Sequence, residues 1–269
     1  MGNITTYMGN EFLDHVCNSE YSNEANVFLA LSTADPTSNG SGLAEPSGNG
    51  YTRKDINFSA ASLSRITQTG VVSFDTATGS WGEITHWAVC DSSGVGTGNE
   101  LAVGALSTSK NVINTNETRV DSGEVYIEID SGYMSYYLGN NLLDLAFRNQ
   151  AYSAPATYIA LTTADIVNSD TGSTITEPAG GSAYAREVVN VNGQASPTWT
   201  VAQSGALTNS QDISYTTATG SWSTIEGICL CDSSGGGNVL FYDNSEAGET
   251  PDTGDSVNFL AGDLDISLG

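Results

Sequence analysis

Apolar residues recur at helical spacing near the start of the chain and again about 130 residues later. Leu138, Leu142 and Leu145 follow one another at intervals of four and three residues, which places them on one face of a helix. Met8 and Phe12 occupy the matching positions of the earlier segment. We therefore predict two short amphipathic helices, each with its apolar face toward a core.

Beyond each helix the pattern changes to that of β-strands. Short β-branched runs and alternating segments predict strands at residues 27–31, 84–90, 124–129, 157–161, 225–231 and 264–268. Segments rich in Gly, Ser and Asn at residues 37–50 and 167–182 predict surface loops. Several short strands with Gly-rich turns and one helix favour a mainly β fold, an antiparallel β-sandwich opened by a short helix.

The second half of the chain repeats the first. Thr-Ala-Thr-Gly-Ser-Trp ends at Trp81 and again at Trp222, and Tyr-x-Arg ends at Arg53 and again at Arg186. Cys-Asp-Ser-Ser-Gly follows the Trp motif in both halves. A repeat this long indicates the duplication of a whole domain. We predict two tandem domains, residues 1–130 (copy one) and residues 131–269 (copy two).

The charge balance excludes two classes of partner. Seven Lys and Arg stand against 31 Asp and Glu, giving a formal net charge of −24. The few cations are scattered along the chain, so no phosphate-binding patch is predicted and we expect neither nucleic acid nor membrane as a partner. No apolar run approaches the length of a spanning helix, and the first residues lack the features of a secretion signal, so we expect synthesis in a cytoplasm.

Cysteine and histidine usage predicts no metal site and no cofactor. Cys17, Cys90, Cys229 and Cys231 lack zinc-ligand spacing, and we expect them to be buried free thiols. The chain has two histidines, and neither recurs in the other copy. No Gly-x-Ser-x-Gly motif is present, and paired carboxylates carry no weight among 31 acidic residues. We predict no catalytic residue.

Six residues that recur in both copies are the candidates for binding or anchoring: Arg53, Arg186, Trp81, Trp222, Asp35 and Asp165. Each arginine is expected to pair with an acid, within or between subunits. The tryptophans are expected to anchor the core, with a sugar-stacking platform as the alternative. The aspartates follow Thr-Ala at a predicted strand end and are expected to cap turns, with a calcium or glycan contact as the alternative.

These motifs carry a family resemblance. Tyr-Leu-Gly-Asn-x-Leu-Leu-Asp, the Ala-Leu-x-Thr-Ala-Asp strand, Glu-Pro followed by Tyr-x-Arg, Ala-Thr-Gly-Ser-Trp, and an ending at residues 259–269 occur in that order. Together they resemble a family of tailed-phage virion proteins usually labelled tail fibre proteins. The resemblance covers both copies, and copy one departs from it at its end, near residues 122–127.

The resemblance implies a non-enzymatic structural protein on the exterior of a phage virion, either tail-fibre-like or a capsid decoration protein. Its partners would be other virion proteins of the capsid or tail, in a symmetric oligomer for which a trimer is the favoured state. The amphipathic helix or a strand edge is expected at the subunit contact. The alternative is a receptor- or glycan-binding module that reads its target with the two long loops. An enzyme that degrades host polysaccharide is a third reading, and it would need Asp35 or Asp165.

Overall fold

A computed structural model describes residues 2–23, 25–129, 132–190, 198–245 and 248–268. The predicted domain boundary, between residues 130 and 131, falls outside these residues and stays a prediction. The fold is mainly β with one helix near the start of each copy, which confirms the predicted class. Neither helix of the described part has the length and apolar character required to cross a membrane.

Each copy has a capped amphipathic helix near its start. Helix α1 spans Thr6–Cys17 and α2 spans Tyr136–Arg148. The residue before each helix, Thr5 or Ser135, accepts a hydrogen bond at 3.2 Å from the N–H three residues later, which satisfies one free donor of the first turn. Asn149 follows α2 as its C-cap, and the left-handed backbone of this residue (φ 51°) stops the helix at Arg148.

The strands of copy one are β1 (Gly2–Ile4), β2 (Phe28–Ser32), β3 (Lys54–Asp55), β4 (Asn57–Phe58), β5 (Arg65–Thr69), β6 (Val72–Ser73), β7 (Gly82–Cys90), β8 (Glu100–Val112), β9 (Arg119–Val120) and β10 (Tyr126–Glu128). Eight of them form one sheet with the order β3-β2-β7-β8-β1-β10-β5-β4, and β6 pairs with β9 separately. The pairing is antiparallel except between β1 and β10, which run parallel.

Copy two has corresponding strands, but they form separate sheets. The strands are β11 (Thr157–Thr162), β12 (Glu187–Asn190), β13 (Ala206–Thr208), β14 (Ile213–Ser214), β15 (Gly227–Cys231), β16 (Val239–Asp243), β17 (Asn258–Phe259) and β18 (Asp265–Ser267). A short 3-10 helix spans Gly180–Ser182. Strands β12-β11-β15-β16 form one sheet, β13 pairs with β18, and β14 pairs with β17. Among the described residues, the segment that corresponds to β1 makes one bridge, between Met134 and Phe241, and the strands of copy two form three separate sheets.

The two copies share one core. A single cluster of buried apolar side chains runs through both copies. Helix α1 packs against β13 and β18 of copy two, and α2 packs against β4 and β5 of copy one. Phe58 of β4 meets Phe147 of α2 edge to face, with ring centroids 5.7 Å apart. Each helix therefore covers apolar surface of the other copy as well as its own.

Candidate functional site

A buried ion pair joins Arg53 to Glu45 in copy one. The pair is bidentate: Nε donates to Oε1 at 2.9 Å and Nη2 donates to Oε2 at 2.7 Å. The Arg53 side chain is fully buried, and that of Glu45 is 5% exposed. Nη1 also donates to the backbone oxygens of Ser92 and Thr97, both at 2.8 Å. Arg53 thus ties the Glu-Pro segment to the Cys-Asp-Ser-Ser-Gly loop.

Tyr51 connects this pair to the sheet. Its hydroxyl donates to Oε1 of Glu45 at 3.0 Å and accepts from the N–H of Leu31 in β2 at 2.9 Å. Burial by itself raises the pKa of Glu45, but the hydrogen bonds from Arg53 and from the N–H of Gly96 outweigh it, so the pKa lies below its usual value. Glu45, Tyr51 and Arg53 form what we name the arginine cluster of copy one.

Copy two contains the same arrangement. Nε of Arg186 donates to Oε1 of Glu177 at 3.0 Å and Nη2 donates to Oε2 at 2.8 Å. Nη1 donates at 2.8 Å to the backbone oxygens of Ser233 and Gly236. The hydroxyl of Tyr184 donates to Oε1 of Glu177 at 2.8 Å and accepts from the backbone N–H of β11. Glu177, Tyr184 and Arg186 form the arginine cluster of copy two.

Each predicted arginine pair is therefore internal to one copy. The arginine side chains are 0% and 2% exposed, so neither guanidinium faces a partner. Burial lowers the pKa of Arg53 and Arg186, but the paired carboxylate outweighs burial and the pKa of both lies above its usual value. Both remain charged, and their hydrogen bonds hold loops in place.

Trp81 and Trp222 lie in the core of their copies. Nε1 of Trp81 donates to the backbone oxygen of Asn49, and Nε1 of Trp222 to that of Ser182, each at 2.9 Å. Both side chains are buried and meet the tyrosine of the adjacent arginine cluster edge to face, with ring centroids 5.3 and 5.4 Å apart. A buried ring offers no face to a sugar, which favours the anchoring role.

Asp35 and Asp165 are exposed and lie after β2 and β11. Oδ1 of Asp35 accepts from the N–H of Thr37 at 2.8 Å, the side-chain-to-backbone bond of a turn. Within the described residues, no group of three or more His, Cys, Asp or Glu side chains is arranged to hold a metal ion. A calcium or glycan contact at these aspartates stays a prediction.

Two asparagines that the prediction missed join the copies reciprocally. Oδ1 of Asn10 in α1 accepts from the N–H of Gly205 in copy two at 2.7 Å. Oδ1 of Asn140 in α2 accepts from the N–H of Ser64 in copy one at 2.9 Å. Each donor lies at the tip of a hairpin turn with positive φ, so the same contact is made twice with the copies exchanged.

Two aspartates make a second reciprocal contact. Oδ1 of Asp14 accepts from the N–H of Ala202, and Oδ1 of Asp144 accepts from the N–H of Ala61, both at 2.9 Å. The sequence did carry a signal for these residues, because Asn and Asp recur at matching positions of both predicted helices. It could not tell that their side chains bind the other copy rather than water.

Comparison with known proteins agrees with this repeated architecture. The model of the family described as podophage GP4 fiber I protein gp80 matches residues 3–128 and, separately, residues 133–267. The chain belongs to this phage fibre family. It carries two tandem copies of the family's domain, as the sequence motifs predicted. No curated protein is significantly similar to it.

Membership of the phage fibre family fits what the shared residues do. The two arginine clusters and the two tryptophans are buried and hold the fold together, and the helix polar residues join one copy to the other. The family supports a structural protein of the virion, whose partners are other virion components.

Proposed function

We propose that the chain is a non-enzymatic structural protein on the exterior of a tailed-phage particle, where it acts through contacts with other virion proteins. One observation carries the proposal: four polar residues that recur in both copies make hydrogen bonds within the chain. Arg53 and Arg186 hold loops, and Asn10 and Asn140 join the copies. A duplicated fold that uses its shared polar groups for rigidity suits a protein that works by shape.

The surface charge supports an exterior position. With a formal net charge of −24, the chain repels other acidic surfaces and keeps particles apart in solution. The apolar faces of α1 and α2 are covered by strands of the other copy. An oligomer, for which we keep the trimer as the favoured state, would therefore use a strand edge or a loop rather than these helix faces.

Labelling of intact virions with an antibody against this chain tests the proposal. Signal over the whole head would identify a capsid decoration protein, and signal confined to the tail would identify a fibre. Absence of the chain from purified virions would overturn the proposal in both forms. Native mass spectrometry of the purified chain gives the stoichiometry, and a monomer at virion-like concentration would contradict the trimer.

A cleft in copy one favours a second candidate function, the binding of a receptor or glycan. This cleft has a volume of about 460 Å³ and lies between two loops of copy one. Another cavity, of about 510 Å³, opens in copy two at residues 249–259. The copy-one cleft is lined by the polar residues Asn39, Ser41, Glu45 and Glu100, together with two glycines and two apolar residues. Hydroxyl-rich ligands are held by such sets of short polar side chains and carboxylates.

Copy two supplies a matched control for this candidate. The corresponding loop of copy two is two residues longer. A backbone hydrogen bond between Thr163 and Thr176 closes it, and these residues are 176 − 163 = 13 positions apart. The matching bond of copy one joins Thr33 and Ala44, which are 44 − 33 = 11 positions apart. The longer loop bonds to the facing turn, where the N–H of Gly172 donates to the oxygen of Gly237 at 2.9 Å. Replacing residues 34–43 with residues 164–175 should close the cleft. Glycan-array binding that the replacement abolishes would establish the second function, and binding that survives it would exclude this cleft.

A further inference from the structure

The cavity that opens in copy two at residues 249–259, which we name the copy-two cavity, has both apolar and acidic residues in its lining. The apolar residues are Leu161, Ile225, Pro251, Val257 and Phe259, and the acids are Glu249 and Asp255. Both acids are exposed, and the ion pairs that join described residues include neither of them. The cavity therefore presents uncompensated negative charge next to apolar surface.

Matching backbone bonds identify the copy-one residue that corresponds to Glu249. The tryptophan of each Ala-Thr-Gly-Ser-Trp motif donates its backbone N–H at 2.9 Å, to the oxygen of Val112 in copy one and to that of Pro251 in copy two. Lys110 lies two residues before Val112, and Glu249 lies two residues before Pro251. A lysine of copy one is therefore replaced by an acid in copy two.

Lys110 shows what occupies this place in copy one. It lies opposite Ile84 in the pairing of β7 with β8, so the two side chains share a face of the sheet. Its Nζ donates to the oxygen of Arg119 at 2.7 Å and lies 3.6 Å from Oε2 of Glu124. The aliphatic stem thus lies beside an apolar side chain, and the ammonium is held by a carbonyl and a carboxylate.

Copy two keeps these acceptors and lacks the ammonium. The residues before Arg119 and Asn258 each accept a backbone hydrogen bond from the facing segment, at 2.8 and 2.9 Å, so the two positions correspond. Because successive carbonyls of a strand alternate in direction, the oxygen of Asn258 points away from β14. Glu124 corresponds to Asp263, and each accepts from the backbone N–H three residues earlier. A glutamate has no proton to donate, so the bond that the ammonium makes in copy one has no equivalent from Glu249.

We propose that the copy-two cavity binds a lysine side chain of a partner protein, with its ammonium between Glu249 and the oxygen of Asn258. The four-carbon stem lies against the apolar lining, as that of Lys110 lies beside Ile84. Charge supports this occupant: positions 110, 119 and 124 of copy one carry two cations and one acid, whereas positions 249, 258 and 263 carry two acids and no cation. Lysine is assigned because copy one uses an ammonium on a flexible stem at this place.

The lysine comes from a different protein. This chain has two lysines, Lys54 and Lys110, and both already form ion pairs within copy one. The inference rests on the proposed function, because the partner would be another virion protein. Its test measures binding to the purified full chain in solution, so a chain absent from virions would overturn the proposed function and leave the binding result as it stands.

The probe is N-acetyl-lysine methylamide, titrated into the isotope-labelled chain and followed by NMR. Amide signals of residues 249–259 should shift saturably, and salt should weaken the binding. N-acetyl-norleucine methylamide is the matched control ligand, because its side chain has the same four-carbon stem without the ammonium. It should bind about tenfold more weakly or less, since it cannot make a charged hydrogen bond.

Two variants test the position of the ammonium. Glu249→Lys installs the copy-one residue, whose own ammonium takes the place of the ligand, so it should weaken binding of the probe about tenfold or more. Glu226→Lys makes the same change of charge at an exposed residue outside the lining, and it should weaken binding about threefold or less. Both replaced side chains are exposed, so neither variant disturbs the core.

The proposal is overturned if the amide signals of residues 249–259 do not shift saturably in the wild-type chain, or if the norleucine derivative binds as tightly as the lysine derivative. It is also overturned if Glu249→Lys binds the probe as tightly as wild type, or if Glu226→Lys weakens binding as much as Glu249→Lys. Tighter binding of putrescine than of the lysine derivative would also contradict it, because the occupant would then be a free diamine rather than a protein side chain.

Discussion

The arginine clusters of the two copies hold the same ion pair but complete it from opposite sides. In copy one the N–H of Gly96 donates to Oε2 of Glu45 at 2.8 Å, so a loop caps the carboxylate. In copy two the oxygen of Gly172 accepts from Nη2 of Arg186 at 2.6 Å, so a loop caps the guanidinium. Duplication has preserved the pair, and the lengths of the surrounding loops determine which charge receives the extra hydrogen bond.

The consequence is a difference in how deeply each carboxylate is buried. The Glu45 side chain is 5% exposed and that of Glu177 is 22% exposed. Water can therefore reach the acid of copy two but scarcely that of copy one. Replacing each arginine should therefore lower the free energy of unfolding by different amounts in the two clusters.

Replacement of Arg53 with Met should produce the largest effect. It leaves Glu45 buried and unpaired, which costs about 3–5 kcal/mol of unfolding free energy. Arg186→Met should cost less, because Glu177 can be hydrated. Equilibrium unfolding in urea measures both values on the same chain.

The surface pair of Lys54 and Asp75 is the control for these variants. Nζ of Lys54 lies 2.6 Å from Oδ2 of Asp75, but the Asp75 side chain is 62% exposed. Lys54→Met should therefore change the free energy of unfolding little. Equal losses from Arg53→Met and Arg186→Met, or a larger loss in copy two, would show that the exposure of the carboxylate does not govern these clusters.

The reciprocal contacts between copies differ at one pair of positions. A Cβ on Gly139 of α2 would lie 2.2 Å from the nearest atom, Oγ of Ser64, and 2.7 Å from Cβ of Ser64. A Cβ on Gly9 of α1 would lie 3.0 Å from its nearest atom, the oxygen of Leu268. Copy two has Gly205 where copy one has Ser64, as their matching bonds to the helix asparagines show. The closer approach is therefore that of Gly139 to Ser64, at the position where copy one has a side chain and copy two has glycine.

Gly139→Ala should destabilise the chain by about 1–3 kcal/mol through this overlap. Gly9→Ala should be close to neutral, because the gain in helix propensity of up to about 1 kcal/mol offsets a milder contact. Adding Ser64→Gly to Gly139→Ala should recover most of the loss, since Ser64 has a positive φ of 58° that glycine also favours. Thermal unfolding of the four chains measures the effect, and a double variant no more stable than Gly139→Ala would refute the steric explanation.

Local patterns in the sequence were sufficient to predict much of the fold. The helices and the strands near residues 84–90 and 157–161 were predicted because their apolar spacing and β-branched residues act over a few positions. Strand β8 was not, because residues 107–111 are all polar and five of its 13 residues are exposed. Strand β1 is too short to show any period, and its place between β8 and β10 depends on contacts distant in the sequence.

The candidate site, like the fold, was predicted from the sequence only in part. The repetition of Tyr-x-Arg and Glu-Pro marked the arginine clusters, and the acid partner of each arginine could be expected though not named. The joining of α1 to the hairpin of copy two was beyond reach, because a polar residue on a predicted helix has the same pattern whether it faces water or another domain. The matched bonds of Asn10 and Asn140, and those of Asp14 and Asp144, reveal the exchange.

His15 marks the smallest of the expected differences between the copies. It is 1% exposed on α1, its Nδ1 accepts from the N–H of Tyr21 at 3.0 Å, and its ring lies 5.5 Å from that of Tyr152 in copy two. The matching position of α2 is Leu145. Burial lowers the pKa of His15, against smaller opposing effects of Glu20 and the backbone of Tyr152.

Because the folded protein holds this histidine below the pKa of about 6.5 that it has when unfolded, acid favours the unfolded chain. The stabilising contribution is complete above that pH and declines as the pH falls below it. His15→Leu, which installs the residue of copy two, should remove this part of the pH dependence and leave the titration of the carboxylates. We expect the melting temperature of wild type to fall more steeply than that of His15→Leu between about pH 7 and pH 5.5. Parallel curves would mean that His15 binds protons equally well in the folded and unfolded chain, and that the junction between the copies does not respond to acid through this residue.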